Sequence, residues 1–459
     1  MRTALEALWR AARLDPAALD HLTLTGQEPV LPSSFAVGTA MQASVGASAL
    51  AAAEIWRARS GRSQTVSVDM RAAAIAARSE RYLTVDGGPA PELWDRIAGA
   101  YRCGDGRWVR LHTNFPHHRD GVLKLLGCAH DKAAVAAALQ RWTAFDFEAA
   151  CAEAGLVVAA MRSFAEWDAH PQGQAVARQP LFTIERIGAA PAPSWPSGQR
   201  PLSGLRVLDL TRIIAGPVCG LTLAAHGADV MLVTSPSLPL IAPLVIDTGR
   251  GKLSVSLDLT KPDNRAAFET LLREADVMVQ GYRPGGLAAL GYGPDALARI
   301  RPGIVAVTLS AYGSGGPWAP RRGFDSLVQT ATGFNDAEAG AARSDAPKPL
   351  PAQVLDHATG YLMAFATMAA LLHRAREGGS WNVRLSLAQT GHWLRSLGRI
   401  DGLSCHDPSR DDVRDLLVEM PSGFGTLSVV KHPADLALTP PRWERPSVPL
   451  GTDPPAWPR

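Results

Sequence analysis

The pattern of apolar and polar positions changes character along this chain. Between positions 36 and 59, small and apolar residues run on with little interruption and end in Trp56-Arg57-Ala58-Arg59. This predicts an alanine-dominated helix punctuated by Gly61. Thr65-Val66-Ser67-Val68 then alternates as a half-buried strand does, and a second helix is expected through Tyr82. Residues 98–112 read as a hairpin: Gly99 to Cys103 and Trp108 to His112 flank Gly104-Asp105-Gly106, and Asp-Gly between β-prone runs is a strong turn signal. Positions 119–168 are mostly helical in pattern. From Leu205 the period shifts. Leu205-Arg206-Val207-Leu208-Asp209-Leu210 reads as a buried strand, a turn with Ala215-Gly216-Pro217 follows, then a helix to Gly227, and Asp229 to Val233 is a second strand. Further strands are expected at 253–257, 276–280 and 304–310, with helices at 262–274 and near 294–300. A later helix is expected over Tyr361 to Arg376.

Strand and helix alternate here at the period of βαβ units. The fold expected is therefore α/β, a doubly wound, mostly parallel Rossmann-like sheet with a second, smaller α+β domain. The Pro- and Ala-rich run Ala190-Pro191-Ala192-Pro193-Ser194-Trp195-Pro196 divides the chain. Residues 1–190 form the small-domain half, 191–202 a linker, 203–400 the Rossmann-like domain, and 401–459 a Pro-rich tail whose last eight residues are expected to fray.

Composition narrows the function classes. The 459 residues are 46% hydrophobic and 19% charged with a formal net charge of +3, which describes an ordinary globular chain. With no basic run and only 6% aromatic residues, nucleic acid is set aside as a partner. Five cysteines without a CxxC pair argue against a zinc site or disulfide framework, so no metal is expected. No 18-residue apolar run predicts a membrane span, and Met1 to Arg10 carries no signal-peptide apolar region. The expected location is the cytoplasm. No GxGxxG follows the first strand of the second half, so neither NAD nor FAD is expected.

One acid is conspicuous. Asp356, in Pro351-Ala352-Gln353-Val354-Leu355-Asp356-His357, lies at the entrance to the long helix, where a carboxylate either caps backbone N–H groups or does chemistry. A second copy of this stretch bears on the choice. Residues 47–70 align without gaps on 364–387 at an offset of 317, pairing Arg57 with Arg374, Arg59 with Arg376, Gly61 with Gly378, Ser63 with Ser380 and Val66 with Val383. At the same offset Thr39 stands where Asp356 does. At most one active carboxylate per chain is inferred.

At this point the residues resemble a known family. Leu202 to Thr211, Ala215-Gly216-Pro217, His226-Gly227-Ala228-Asp229-Val230, Gly249-Arg250-Gly251-Lys252, Gly281-Tyr282-Arg283-Pro284-Gly285, Gly323-Phe324-Asp325, Asp356 and the Gly378 to Leu387 closure are together similar to the family III CoA transferases, the CaiB/BaiF group that includes formyl-CoA and carnitine CoA-transferases and alpha-methylacyl-CoA racemases. Residues 45–190 resemble the smaller part of the same fold, placed first, as though two copies were fused and each trimmed. The resemblance implies that Asp356 is the nucleophile and Asp325 an assisting carboxylate. It also implies that Ile214, Ala215, Leu257, Asp258, Leu259, Thr260, Gly281, Tyr282 and Arg283 line the coenzyme A site, with Arg322 where a CoA-contacting lysine stands in formyl-CoA transferase. There are two departures. The family's Val-Glu-x-Pro is here Val233-Thr234-Ser235-Pro236, leaving Arg250, Lys252 or Lys261 to meet CoA phosphate, and the racemases' catalytic histidine position is Phe324.

The activity implied is transfer of CoA between an acyl-CoA and a carboxylic acid through an aspartyl anhydride and an aspartyl-CoA thioester. No permanently bound cofactor is expected, and coenzyme A enters as acyl-CoA substrate. Two alternatives stand beside this: an acyl-CoA racemase or epimerase using Asp356 as one acid/base, and a CoA-binding subunit whose activity has decayed. The partners expected are small molecules, with the chain either a homodimer or an internally completed pseudo-dimer.

Overall fold

In the computed structural model, which describes residues 2–458, a helix at Arg2–Ala11 and a short 3-10 turn at Pro16–His21 lead into a short parallel pair, β1 (Leu22–Thr25) and β2 (Val66–Asp69), joined by α1 (Val37–Ser60). α1 is buried on every side from Val37 to Ile55, as its almost uninterrupted small and apolar sequence requires. It stops at Gly61, whose φ of +72° suits the left-handed helix end. Asp69 caps the next helix, α2 (Met70–Ala76), by accepting from the Ala72 N–H at 3.0 Å. The expected hairpin forms between Gly99–Arg102 and Trp108–Leu111, with Val158–Ala160 as its third strand. β3 (Phe182–Gly188) ends this half.

The second half builds the main sheet from β4 (Arg206–Leu210), β5 (Asp229–Thr234), β6 (Lys252–Ser256), β7 (Val277–Gln280), β8 (Val305–Ser310) and β9 (Ser380–Ser386). The overall class is mixed α/β. Strand order is β6-β5-β4-β7-β8-β9-β3, the first six parallel and β3 antiparallel at the edge, with Phe182 opposite Leu385. Four helices of this half position the site: α3 (Ala215–Ala225), α4 (Asp325–Ala331), α5 (Val354–Glu377) and α6 (Leu387–Ser396). A last strand, β10 (Ala434–Leu436), returns to the first half and pairs antiparallel with β2. Each half therefore receives an edge strand from the other.

The internal repeat is visible in the backbone. At the offset of 317, the ends of α1 fall on the ends of α5. The residue before each helix has nearly the same conformation, φ −75° and ψ 62° at Ala36 against φ −78° and ψ 60° at Gln353. Ser386 caps α6 as Asp69 caps α2. The β1-β2-β10 sheet thus repeats the β8-β9-β3 edge of the larger one.

The tail departs from expectation. Leu417–Ser422 and Gly425–Val430 form a hairpin that continues onto Thr84–Val85. Nor does the end fray: the Trp457 indole donates to the Leu271 carbonyl at 3.0 Å, and its ring lies under the Arg206 guanidinium. Among the described residues, no helix is long and apolar enough to cross a membrane.

Candidate active site

The site is built where the loop after β4 meets the first turn of α5. Near the end of β4, Asp209 is fully buried and holds the Lys252 ammonium at 2.8 Å while accepting from the Thr211 N–H and hydroxyl. Lys252 also donates to the Pro217 carbonyl at 2.8 Å. A paired, fully hydrogen-bonded buried charge of this kind fixes the path of Thr211 to Ala215. α5 then approaches α3 closely because residue 360 is glycine. A Cβ there would lie 2.6 Å from the Ala215 carbonyl oxygen and 2.7 Å from Val218 Cβ.

α5 begins at Val354, seven positions earlier than expected, and Gln353 precedes it without a side-chain cap. Asp356 therefore lies inside the first turn and is not the cap. The Ala215 backbone favours ionisation of its carboxyl, while its own N–H donates to Asp325 Oδ2 at 2.9 Å. Asp325 also accepts from the Gln329 amide. Both acids are buried, with 6% of Asp356 and 1% of Asp325 exposed. Burial pushes Asp325 up to about 6, against the hydrogen bonds from Asp356 and Gln329. Burial, then the charges of Asp325 and Glu80, push Asp356 well above the ordinary carboxylate range.

Glu80 comes from the other half. It lies 3.2 Å from His357 Nε2, and the pair is almost wholly buried. Burial raises Glu80, but the hydrogen bond and charge of His357 outweigh it and leave this acid below its usual value. Its neighbour Ser79 donates to Asp247 at 2.5 Å, and Asp247 in turn holds Arg250 at 2.7 Å. The short helix Ser79–Tyr82 is thus clamped so that Glu80 meets the first turn of α5.

Two adjoining cavities open from this point. The inner one, ≈ 390 Å³, is lined by Asp356, Ala215, Gly281, Tyr282, Arg283 and Arg322 among others. The outer one, ≈ 250 Å³, is lined by Leu257, Asp258, Leu259 and Thr260. They share Leu210, Leu238, Tyr282 and Arg283, so a single cleft joins the two groups of expected residues. Ile214 is buried beneath, with its neighbours Ile213 and Ala215 at the wall. Asp325 is also behind the wall, one residue from the lining Phe324.

Of the three basic residues expected to meet phosphate, two are occupied. Arg250 is paired with Asp247 and stacked on Trp443, and Lys252 is paired with Asp209. Lys261 remains exposed next to the outer cavity. Residues not anticipated from sequence line the inner cavity: Phe115, His117 and His118 of the first half, and Arg212. Phe324 stacks face to face on His112 with centroids 3.8 Å apart. Burial holds both His112 and His118 at about 3, and the Nδ1 of each has no partner among the described residues.

The sequence profile described as CoA-transferase family III matches residues 17–196 and 202–400. An acetyl-coenzyme A transferase of Hypoxylon pulicicidum is 36% identical over 263 residues, covering 54% of this chain and 44% of that protein. A probable fatty acyl-CoA transferase of Mycobacterium tuberculosis is 36% identical over 192 residues, 39% of this chain and 48% of its own length. An acyl-CoA transferase of Gibberella moniliformis is 30% identical over 424 residues, 81% of this chain and 73% of that one. The chain thus spans under half the length of the first two relatives. A crystal structure of a hypothetical protein from Mycobacterium tuberculosis is similar at 34% identity and TM-score 0.40, over 43% of this chain and 57% of that one.

Proposed function

This chain belongs to CoA-transferase family III, and from that premise we propose that it moves coenzyme A between an acyl-CoA thioester and a carboxylic acid, with Asp356 as nucleophile. The observation that carries this reading is the placement of Asp356, a buried carboxylate on the wall of a cleft that also presents Ala215, Gly281, Tyr282 and Arg283. An ionised Asp356 attacks the thioester carbonyl, the C–S bond breaks, and CoA leaves as thiolate from a mixed anhydride. The thiolate attacks the aspartyl carbonyl, releasing the first acid and leaving an aspartyl-CoA thioester. A second carboxylate attacks that thioester and displaces the thiolate, which then takes the new acyl group and frees Asp356. Every step is redox-neutral and conserves one activated acyl bond.

Crowding assists the first step. Ionised Asp356 lies against the charges of Asp325 and Glu80, and acylation replaces that charge with a neutral anhydride. Asp325 assists by accepting the Asp356 N–H, which holds the first turn of α5 in place. The test is the intact mass after incubation with acetyl-CoA, with the adduct mapped to a peptide. An acetyl or CoA mark on Asp356, and loss of exchange by roughly 10³-fold or more in Asp356→Ala, are expected. Near-normal exchange in that variant removes the mechanism, and tight acyl-CoA binding without any adduct would indicate a decayed subunit.

The strand order of the main sheet supports the doubly wound, Rossmann-like reading. We keep the division into 1–190, a linker at 191–202, 203–400 and a tail at 401–459, and the reciprocal edge strands support these parts acting as one internal pseudo-dimer that needs no second copy. One observation favours a second activity. His118 lines the same cavity as Asp356, and its Nδ1 has no partner among the described residues, which gives an acid/base pair for proton exchange at an acyl α-carbon. Deuterium wash-in at that carbon without acid exchange would select the epimerase reading.

A further inference from the structure

The two chambers of the cleft divide between the halves of the chain. The outer one is lined by second-half residues alone, from Leu210 to Leu290. At the inner one, where Asp356 lies, the first half enters at Phe115, His117 and His118. His118 stands apart among these. Its side chain makes no hydrogen bond among the described residues, its Nδ1 is shut off from solvent, and 3% of the residue is exposed. A neutral imidazole carries one N–H and one lone pair, and burying both without partners is costly unless something in the chamber meets them.

We propose that His118 donates a hydrogen bond to the carbonyl oxygen of the acyl group bound in the inner chamber, as a neutral ring that keeps its proton while Asp356 attacks. This rests on the transferase reading of the cleft. His118 lies in the first turn of the helix Pro116–Leu126, which has no side-chain cap, so the positive end of the helix dipole reinforces a donor there. Phe115, His117 and Phe324 surround the ring, with centroids 6.1, 4.0 and 6.5 Å away. Phe324 directly precedes Asp325, which accepts the Asp356 N–H. Donor and nucleophile are thus held in one frame, although they come from opposite halves.

The surroundings keep the ring neutral. Burial, then His117, Arg322 and Arg212, hold it at about 3, and His112, on the far face of Phe324, is held as low. None of these neighbours is an acid that would favour the imidazolium. A neutral imidazole polarises a carbonyl without giving up its proton. As Asp356 attacks, negative charge builds on that oxygen, so the bond is stronger in the transition state than in the bound thioester. The C–S bond breaks as before, and the same donor faces the new acyl oxygen when the second acid is acylated, because that step is the first in reverse.

The tests use the full chain with isotope-labelled acetyl-CoA and acetate. In Asp356→Ala, the infrared carbonyl band of bound acetyl-CoA should move to higher frequency when His118→Leu is added, and move little when His118→Gln, which keeps an N–H donor, is added instead. In the otherwise native chain, acetyl-CoA/acetate exchange should lose roughly 100-fold in kcat with His118→Leu and under about 10-fold with His118→Gln. The ratio of wild type to His118→Leu should stay constant from about pH 5.5 to about pH 8.5, and calorimetric affinity for coenzyme A should be unchanged in both variants. A carbonyl band indifferent to both substitutions overturns the proposal. So do equal losses in the two variants, which mark a packing role, and a ratio that changes through about pH 6.5, which marks an imidazolium. Deuterium wash-in at the α-carbon that His118→Gln abolishes also overturns it, since the ring would then be a base. The infrared readout needs no turnover, so it decides this proposal whether or not Asp356 carries an adduct.

Discussion

Replacing Asp325 with asparagine should make the protein's stability less sensitive to alkali, and the size of the effect follows from the site. Asp325 is displaced from an ordinary 3.8 to about 6, with burial as the leading cause. Its folded-state pKa is raised, so the folded form holds a proton that the unfolded chain releases. The stability this group contributes is fully present below about pH 4 and is lost as pH rises through 6. At ~1.4 kcal/mol per pKa unit, the loss is on the order of 3 kcal/mol. The substituted amide cannot titrate. It offers one acceptor oxygen where the carboxyl offers two, so one of the buried donors, the Asp356 N–H or the Gln329 amide, loses its partner at all pH values, which costs about 1–3 kcal/mol. The variant should therefore be the less stable form at pH 4 and should gain on wild type by about 3 kcal/mol between pH 4 and pH 7.5. Losing the Asp325 charge also eases ionisation of Asp356, which moves the comparison the same way. Urea unfolding of both proteins across that range measures the difference, with all other titrating groups common to the two. A difference that stays flat with pH, or moves toward wild type as pH rises, refutes the placement of a strained carboxylate here.

Other substitutions probe the supports of the site. Gly360→Ala puts a methyl group 2.6 Å from the Ala215 carbonyl, so α3 and α5 must separate and Asp356 moves away from the Ala215 backbone that favours its ionisation. Turnover should fall roughly 100-fold with the fold retained, as checked by steady-state kinetics beside circular dichroism. Glu80→Ala leaves His357 facing an unfilled buried space. It should cost on the order of 3 kcal/mol by urea unfolding, and a change within about 0.5 kcal/mol would show that the pair is not formed.

Much of the second half was legible because parallel strands covered on both faces are written as short apolar runs. The expected strand at 205–210 is β4 at Arg206–Leu210, and 304–310 is β8 at Val305–Ser310. The start of α5 was not legible. Asp356, His357 and Gly360 are poor helix formers, and tertiary burial overrides them. Glu80, His118 and Arg212 were missed for another reason. Each acquires its meaning only from a partner more than a hundred positions away or from a cavity, and no local period encodes that. Glu80 alone carried a signal, as a carboxylate following the buried alanine run Ala72 to Ala77. Trp457 was hidden among prolines, whose lack of regular structure is compatible with firm docking through one indole.

The exchange of edge strands has a consequence for how the chain must assemble. The small first sheet stays open on one side until β10 arrives, and next to it Gln64 and Thr439 bond across 375 positions. Early-made structure therefore waits, with an unpaired strand exposed, for nearly the whole polypeptide to appear. Neither half is a self-sufficient folding unit, and the two must mature together as one cooperative object.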